Sequence, residues 1–152
     1  MASRRTKLKK QSDTWKLLEA QYRLFLDRNQ GSKIMPDLLR KAGLRVVCHS
    51  ETYTDDMMAD PDWIADCSKQ VDLIVITGDK AIETDPINRR AVIDCRAKIF
   101  LLEENNSRAI EWASAIIVAR RRILEIAHGT DGPFFVSVKK HSRTLVSMPR
   151  KP

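Results

Sequence analysis

The run Val71-Asp72-Leu73-Ile74-Val75-Ile76-Thr77, followed at once by Gly78-Asp79-Lys80, is apolar at nearly every position. Strict alternation of apolar and polar residues would mark a strand with one wet face; a continuous run marks a strand buried on both faces, as in a parallel sheet. The same reading holds for Lys98–Leu102 (KIFLL) and, more briefly, for Tyr22–Leu26 (YRLFL) and Leu44–His49 (LRVVCH). Helical segments separate these runs. Ile34–Ala42 has Pro36 in its first turn and Gly43 just past its end, the expected asymmetry of helix termini. A helix from Asp60-Pro61 to about Gln70 and another from Asp85-Pro86 to about Arg96 each open with a capping residue and a proline, whose missing N–H costs nothing in a first turn.

A last helix, capped by Asn106 or Ser107, runs to about His128 and is stopped by Gly129. Trp112, Ile116, Ala119, Ile123 and Ala127 repeat along it at helical spacing and give it a broad apolar face. Phe134–Val138 and Thr144–Met148 read as a carboxyl-terminal hairpin. Strand and helix in alternation predict an α/β domain of three layers, with a parallel core, helices on both faces and right-handed crossovers. The hairpin would make the sheet mixed.

At 152 residues and 43% hydrophobic, the chain fits one domain with one core and excludes global disorder. Its formal charge of +7 is uneven: residues 1–16 carry six basic side chains against Asp13 alone, a net +5. The expected organisation is a basic, largely flexible arm over residues 1–20 and a folded domain over 21–150. An arm of this kind either touches phosphate or only aids solubility. Arg4, Arg5, Lys7, Lys9 and Lys10, with Arg28, are the candidate nucleic-acid contacts.

Cys48, Cys67 and Cys95 form no CxxC pair, which argues against structural zinc and for free thiols in a reducing cytoplasm. No apolar run approaches the roughly 20 residues of a membrane span, and no signal peptide is expected.

Ligands of open α/β sheets bind beyond the carboxyl ends of the strands. The residues there are acidic: Asp27 after the first strand, Glu51 after the second, Asp79 after the third, and Asp60 at the start of the helix that feeds the third. Asp55 and Asp56 lie close by in sequence. Each has an ordinary local role available: Asp60 as an N-cap, Asp27 and Asp79 as turn residues. Their shared placement at successive strand exits raises them above those roles. Clustered carboxylates repel one another, and hard oxygen donors suit Mg²⁺ or Mn²⁺. Such a cation favours hydrolysis of a phosphodiester. His49 reads as structural, and no P-loop, GxSxG or GxGxxG is present.

Leu24-Phe25-Leu26-Asp27-Arg28, Ile34 to Gly43, Val46-Val47-Cys48-His49, Asp60-Pro61-Asp62-Trp63-Ile64, Ile76-Thr77-Gly78-Asp79-Lys80 and Gly132-Pro133-Phe134-Phe135, taken in order from about Tyr22 to Met148, resemble the PIN-like domains. In particular they resemble VapC-type toxins with a Trp after the second acidic motif. The resemblance implies a Mg²⁺- or Mn²⁺-dependent endoribonuclease, the toxin of a toxin–antitoxin pair. Asp27, Asp60 and Asp79 would be its acidic triad, with Glu51, Asp56 or Asp62 as a supporting fourth. Lys80 stands where many PIN domains carry a further acid, and would instead meet phosphate. The implied partners are RNA, an antitoxin protein and a second copy of the chain. A non-catalytic PIN-like scaffold that binds RNA or a protein is the alternative, and a DNA nuclease of the same fold is a third reading.

Overall fold

A computed structural model describes residues 14–28, 33–54, 58–103, 108–140, 146 and 148–152. Arg4, Arg5, Lys7, Lys9, Lys10, Asp55, Asp56, Asn106 and Ser107 lie outside the described residues. In chain order the elements are helix α1 over 14–21, then β1 (Arg23–Leu26), α2 (Ile34–Lys41), β2 (Val46–Cys48), the one-turn α3 (His49–Thr52), α4 (Asp60–Ser68), β3 (Leu73–Thr77), the one-turn α5 (Ala81–Thr84), α6 (Pro86–Cys95), β4 (Lys98–Leu102), α7 (Ala109–Gly129) and β5 (Phe134–Val138). The strands form one sheet in the order β2-β1-β3-β4-β5.

Alternation along each strand sorts the core into two layers. Leu24, Leu26, Ile74, Ile76, Phe100, Leu102, Phe134, Val136 and Val138 face one way, against Met35 and Leu39 of α2 and the Trp112–Ala127 face of α7. Phe25, Val75, Ile99, Leu101 and Phe135 face the other way, against Trp63, Ile64 and Cys67 of α4, Ile82 of α5 and Val92 of α6. The three-layer α/β architecture expected from the apolar runs is therefore the one observed. Leu18 of α1 is buried in the first layer and Trp15 packs against it, so α1 is part of the packed body.

Several local signals act as expected. Gly43 follows α2 with φ +91°, a conformation that strains any residue with a Cβ. The Asp85 carboxylate accepts hydrogen bonds from the Ile87 and Asn88 N–H groups and caps α6. Cys48 and Cys67 are buried free thiols and Cys95 is a half-buried one. No helix among the described residues is long and apolar enough to cross a membrane.

Two expectations need correction. First, the five strands are parallel throughout: β5 runs alongside β4 in the same direction. The cause is α7, whose 21 residues span about 31 Å at 1.5 Å each and return the chain to the edge where β4 began. The antiparallel component is limited, among the described residues, to two isolated bridges, Phe135 with Arg150 and Val138 with Val146. Their registers differ by one residue, so no regular ladder joins them. Beyond Arg150 the next hydrogen-bonded pair would be Pro133 with Pro152, neither of which has an N–H. Second, Asp60 does not cap α4. It is the first residue of the helix, Ala59 is the N-cap, and no side-chain cap bond forms.

Candidate functional site: an acidic edge at the switch point of the sheet

The chain leaves β1 in one direction to form β2 and then crosses back to form β3 on the other side of β1. Such a reversal opens a crevice at the carboxyl ends of the two strands concerned. Because all strands are parallel, Asp27, Glu51 and Asp79 leave the sheet on one edge. Asp60, at the amino end of α4, stands on that edge too.

Asp27 follows β1 directly, and the register Leu26 with Ile76 sets it beside Thr77. It is 3% exposed. One carboxylate oxygen accepts the Thr77 hydroxyl proton at 2.8 Å, and the other accepts the Arg28 backbone N–H at 2.7 Å. Burial pushes the Asp27 carboxyl above the usual range, the two hydrogen bonds pull it back, and the Asp60 charge pushes it further up. Arg28 pairs with both acids, so the two carboxylates are near enough to repel.

Asp60 is held from three sides. Its Oδ1 accepts from Arg28 Nη2 at 2.7 Å and from Trp63 Nε1 at 2.8 Å; its Oδ2 accepts from Asn88 Nδ2 at 3.3 Å. Trp63 lies one turn beyond Asp60 on α4, where i and i+3 residues meet. It is fully buried and stacks on Phe25 at 5.5 Å. Asn88, nearly buried on α6, also donates to the Ala81 carbonyl at 3.2 Å.

Asp79 joins this group through Thr77, whose hydroxyl oxygen accepts the Asp79 N–H at 3.1 Å while its proton goes to Asp27. The Asp79 carboxylate in turn accepts the Ala81 N–H at 2.9 Å and shapes the turn into α5. Lys80 is exposed beside it.

The supporting candidates sit differently. Glu51 closes a capping box with Cys48 and pairs with Arg40 at 2.7 Å. The Cys48 N–H holds its carboxyl below the usual range, with Arg40 assisting. Asp62 is exposed on the first turn of α4. Arg28, expected to face RNA, turns inward: Nη1 donates to the Met58 carbonyl at 3.0 Å, Nη2 bonds Asp60, and Nε lies 3.9 Å from Asp27. His49 is buried among Phe25, Tyr53 and Trp63.

Thr77, Asn88 and the inward Arg28 are the members that sequence patterns missed. Thr77 reads as a strand end, and Asn88 as one more polar residue of a capped helix. The one usable signal was the Asp-x-x-Trp spacing, which puts an indole N–H over the Asp60 carboxylate.

Among the described residues, no three His, Cys, Asp or Glu side chains converge closely enough to hold a metal ion. Arg28 bonds Asp60, and the Asp79 carboxylate is bonded to its own turn. The donors themselves are of the kind a hard cation takes, two carboxylates that share one guanidinium on one edge with one of them almost dry. A separate cleft of about 340 Å³, lined by Cys67, Leu73, Cys95, Ala97, Asp131 and Gly132, opens at the other ends of β3 and β4, away from the carboxylates.

A family model described as a PIN-like domain matches residues 22–104, from β1 through the end of β4. Over 118 residues the chain is 30% identical to a protein described as putative ribonuclease VapC45 of Mycobacterium tuberculosis, a match covering 76% of this chain and 84% of that protein. No solved structure matches significantly. The matched segment carries Asp27, Asp60 and Asp79, each at the sheet edge where the parallel order places a ligand crevice, and the chain belongs to the PIN-like domain family.

Proposed function

We propose that this protein is a Mg²⁺- or Mn²⁺-dependent endoribonuclease, the toxin of a toxin–antitoxin pair. The observation that carries the reading is the Asp27–Asp60 pair at the switch point: one carboxylate buried, the second beside it, and both joined to Arg28. Kinship with a protein named as a ribonuclease supports RNA as the substrate class.

Asp27, Asp60 and Asp79 are the residues that would hold the cation. When bound, it supplies Lewis-acid chemistry at a phosphodiester. Thr77 fixes the Asp27 carboxylate with one proton and steadies the Asp79 loop with its lone pair. Trp63 and Asn88 fix the two oxygens of Asp60. Lys80, exposed next to Asp79, would meet a phosphate as a point charge. The basic arm adds sequence-independent attraction to the strand. An antitoxin protein, a homodimer and a cytoplasmic setting belong to the same proposal.

Arg28 favours a second reading, in which a PIN-like scaffold binds RNA or a protein without cutting, because its guanidinium already pairs with both carboxylates. Purified protein incubated with mixed cellular RNA in Mg²⁺, Mn²⁺ or EDTA separates the two. The nuclease reading expects discrete fragments with either metal and intact RNA in EDTA. RNA retained on the protein but uncut in all three conditions supports the scaffold.

A further inference from the structure

We propose that Arg28 is an exchangeable internal cation: it bridges the acidic pair in the metal-free protein and gives up Asp60 when a divalent cation enters. The inference rests on the metal-dependent reading above and adds a residue to it.

The argument starts from the Asp60 Oδ1 atom. It already accepts two hydrogen bonds, from Arg28 at 2.7 Å and from Trp63 at 2.8 Å. A cation that takes this oxygen displaces at least one donor. Trp63 is fully buried, stacked on Phe25 and edge-on to His49, so its indole has nowhere to go. The Arg28 side chain is 31% exposed, against 4% for Asp27 and 16% for Asp60. It sits at the mouth, between the carboxylates and solvent. Swinging out costs Arg28 its bonds to Asp60 and to the Met58 carbonyl, which water at the mouth can replace; a packed indole has no such exit.

Charge points the same way. Asp27 and Asp60 each form an ion pair with Arg28. Arg28 offsets one of the pair's two negative charges without metal. A divalent cation offsets both, which makes the guanidinium redundant and sets two positive centres against each other. Once released, the guanidinium remains at the mouth, where its planar fork suits a phosphate. Cation binding would then free the contact that holds the strand.

The test titrates Mn²⁺ calorimetrically into metal-stripped, full-length wild type, Arg28→Gln, Arg28→Lys, Asp27→Asn and Asp60→Asn. In parallel, ¹⁵N NMR follows the Arg28 Nε–H and the Trp63 indole N–H of wild type during a Mg²⁺ titration. Removing one charge-assisted competitor should tighten Mn²⁺ binding by about tenfold in Arg28→Gln. Arg28→Lys should gain less, because it keeps the charge and loses only the fork. Both acid variants should bind more weakly, and the wild-type Arg28 Nε–H should shift on saturation with Mg²⁺.

Equal or weaker affinity in Arg28→Gln, with binding still dependent on Asp27 and Asp60, overturns the exchange and leaves the metal site standing. Absence of binding in both wild type and Arg28→Gln, or binding indifferent to Asp27→Asn and Asp60→Asn, overturns the metal site and the exchange together. Should Arg28→Gln fail to fold, the NMR titration decides alone: an Arg28 signal unmoved at saturation refutes the exchange.

Discussion

Replacing Thr77 with Val removes one hydroxyl and keeps almost everything else. Val retains the β-branch and the strand preference of the last β3 position. Thr77 is fully buried, so solvent cannot stand in for the missing atom. Asp27 loses the proton donor at 2.8 Å, and the Asp79 N–H loses its acceptor at 3.1 Å. A hydrogen bond to a charged group contributes about 1.5–3 kcal/mol, and an orphaned N–H costs about 1 kcal/mol more. The extra buried methyl offsets up to about 0.8 kcal/mol. The net is a destabilisation of roughly 2–3 kcal/mol, or about 5–10 °C in Tm for a domain of this size.

Urea denaturation followed by circular dichroism, in EDTA at pH 7, measures it. The deficit should shrink as pH falls, and the sign follows from Asp27. Burial raises its folded pKa, so between the ordinary and the raised value the folded state binds a proton that the unfolded chain does not, and stability from this group rises as pH drops. Losing the Thr77 donor widens that window. In an Asp27→Asn background the Thr77→Val cost should fall to that of a neutral hydrogen bond, about 1 kcal/mol. A Thr77→Val protein within about 0.5 kcal/mol of wild type, or one equally destabilised with and without the Asp27 charge, refutes the reasoning.

Asp60→Asn keeps an acceptor for the buried Trp63 indole and should cost about 1 kcal/mol, whereas Asp60→Ala orphans that N–H and should cost about 2–4 kcal/mol; paired urea titrations compare them. Arg23 donates to Asp72 at 2.6 Å and holds its carboxyl below the usual range. A lowered folded pKa gives stability present above the unfolded value and lost as pH falls through the folded one. Asp72→Asn should therefore cost at most about 1 kcal/mol at pH 7, since the pair is partly exposed, and nothing once pH has dropped through that range, read from urea midpoints at both pH values. Deleting residues 1–12 should weaken RNA binding and flatten its salt dependence, each lost phosphate contact reducing the slope of log K against log salt by roughly 0.7; equal slopes would make the arm a solubility tail.

The layers of the fold were legible because burial on both faces writes continuous apolar runs such as Leu73–Thr77 and Lys98–Leu102. Caps were legible where they are local, as at Asp85. The direction of β5 was not, since it depends on how far α7 carries the chain rather than on the composition of Phe134–Val138. The edge on which Asp27, Asp60 and Asp79 gather could be read from strand exits alone. What binds them could not. The Thr77 hydroxyl is 50 residues from its Asp27 partner, Arg28 is 32 from Asp60, and Asn88 is 28 from Asp60. No local pattern encodes such pairs. Asp60 illustrates the trap: as a cap it would need nothing but its neighbours, and its actual partners come from the turn after β1, from α4 and from α6.

Single-turnover cleavage and filter binding of one labelled single-stranded RNA, by wild type and Asp79→Asn in Mn²⁺, bear most directly on the acidic edge as a metal-dependent ribonuclease site. Asn preserves the shape of Asp79 and its bond to the Ala81 N–H while deleting one charge. Cleavage should fall by at least about a hundredfold, and RNA affinity should hold or rise, because a negative charge facing phosphate is gone. Cleavage that persists undiminished in the Asp79→Asn protein, or in wild type with EDTA, would contradict it.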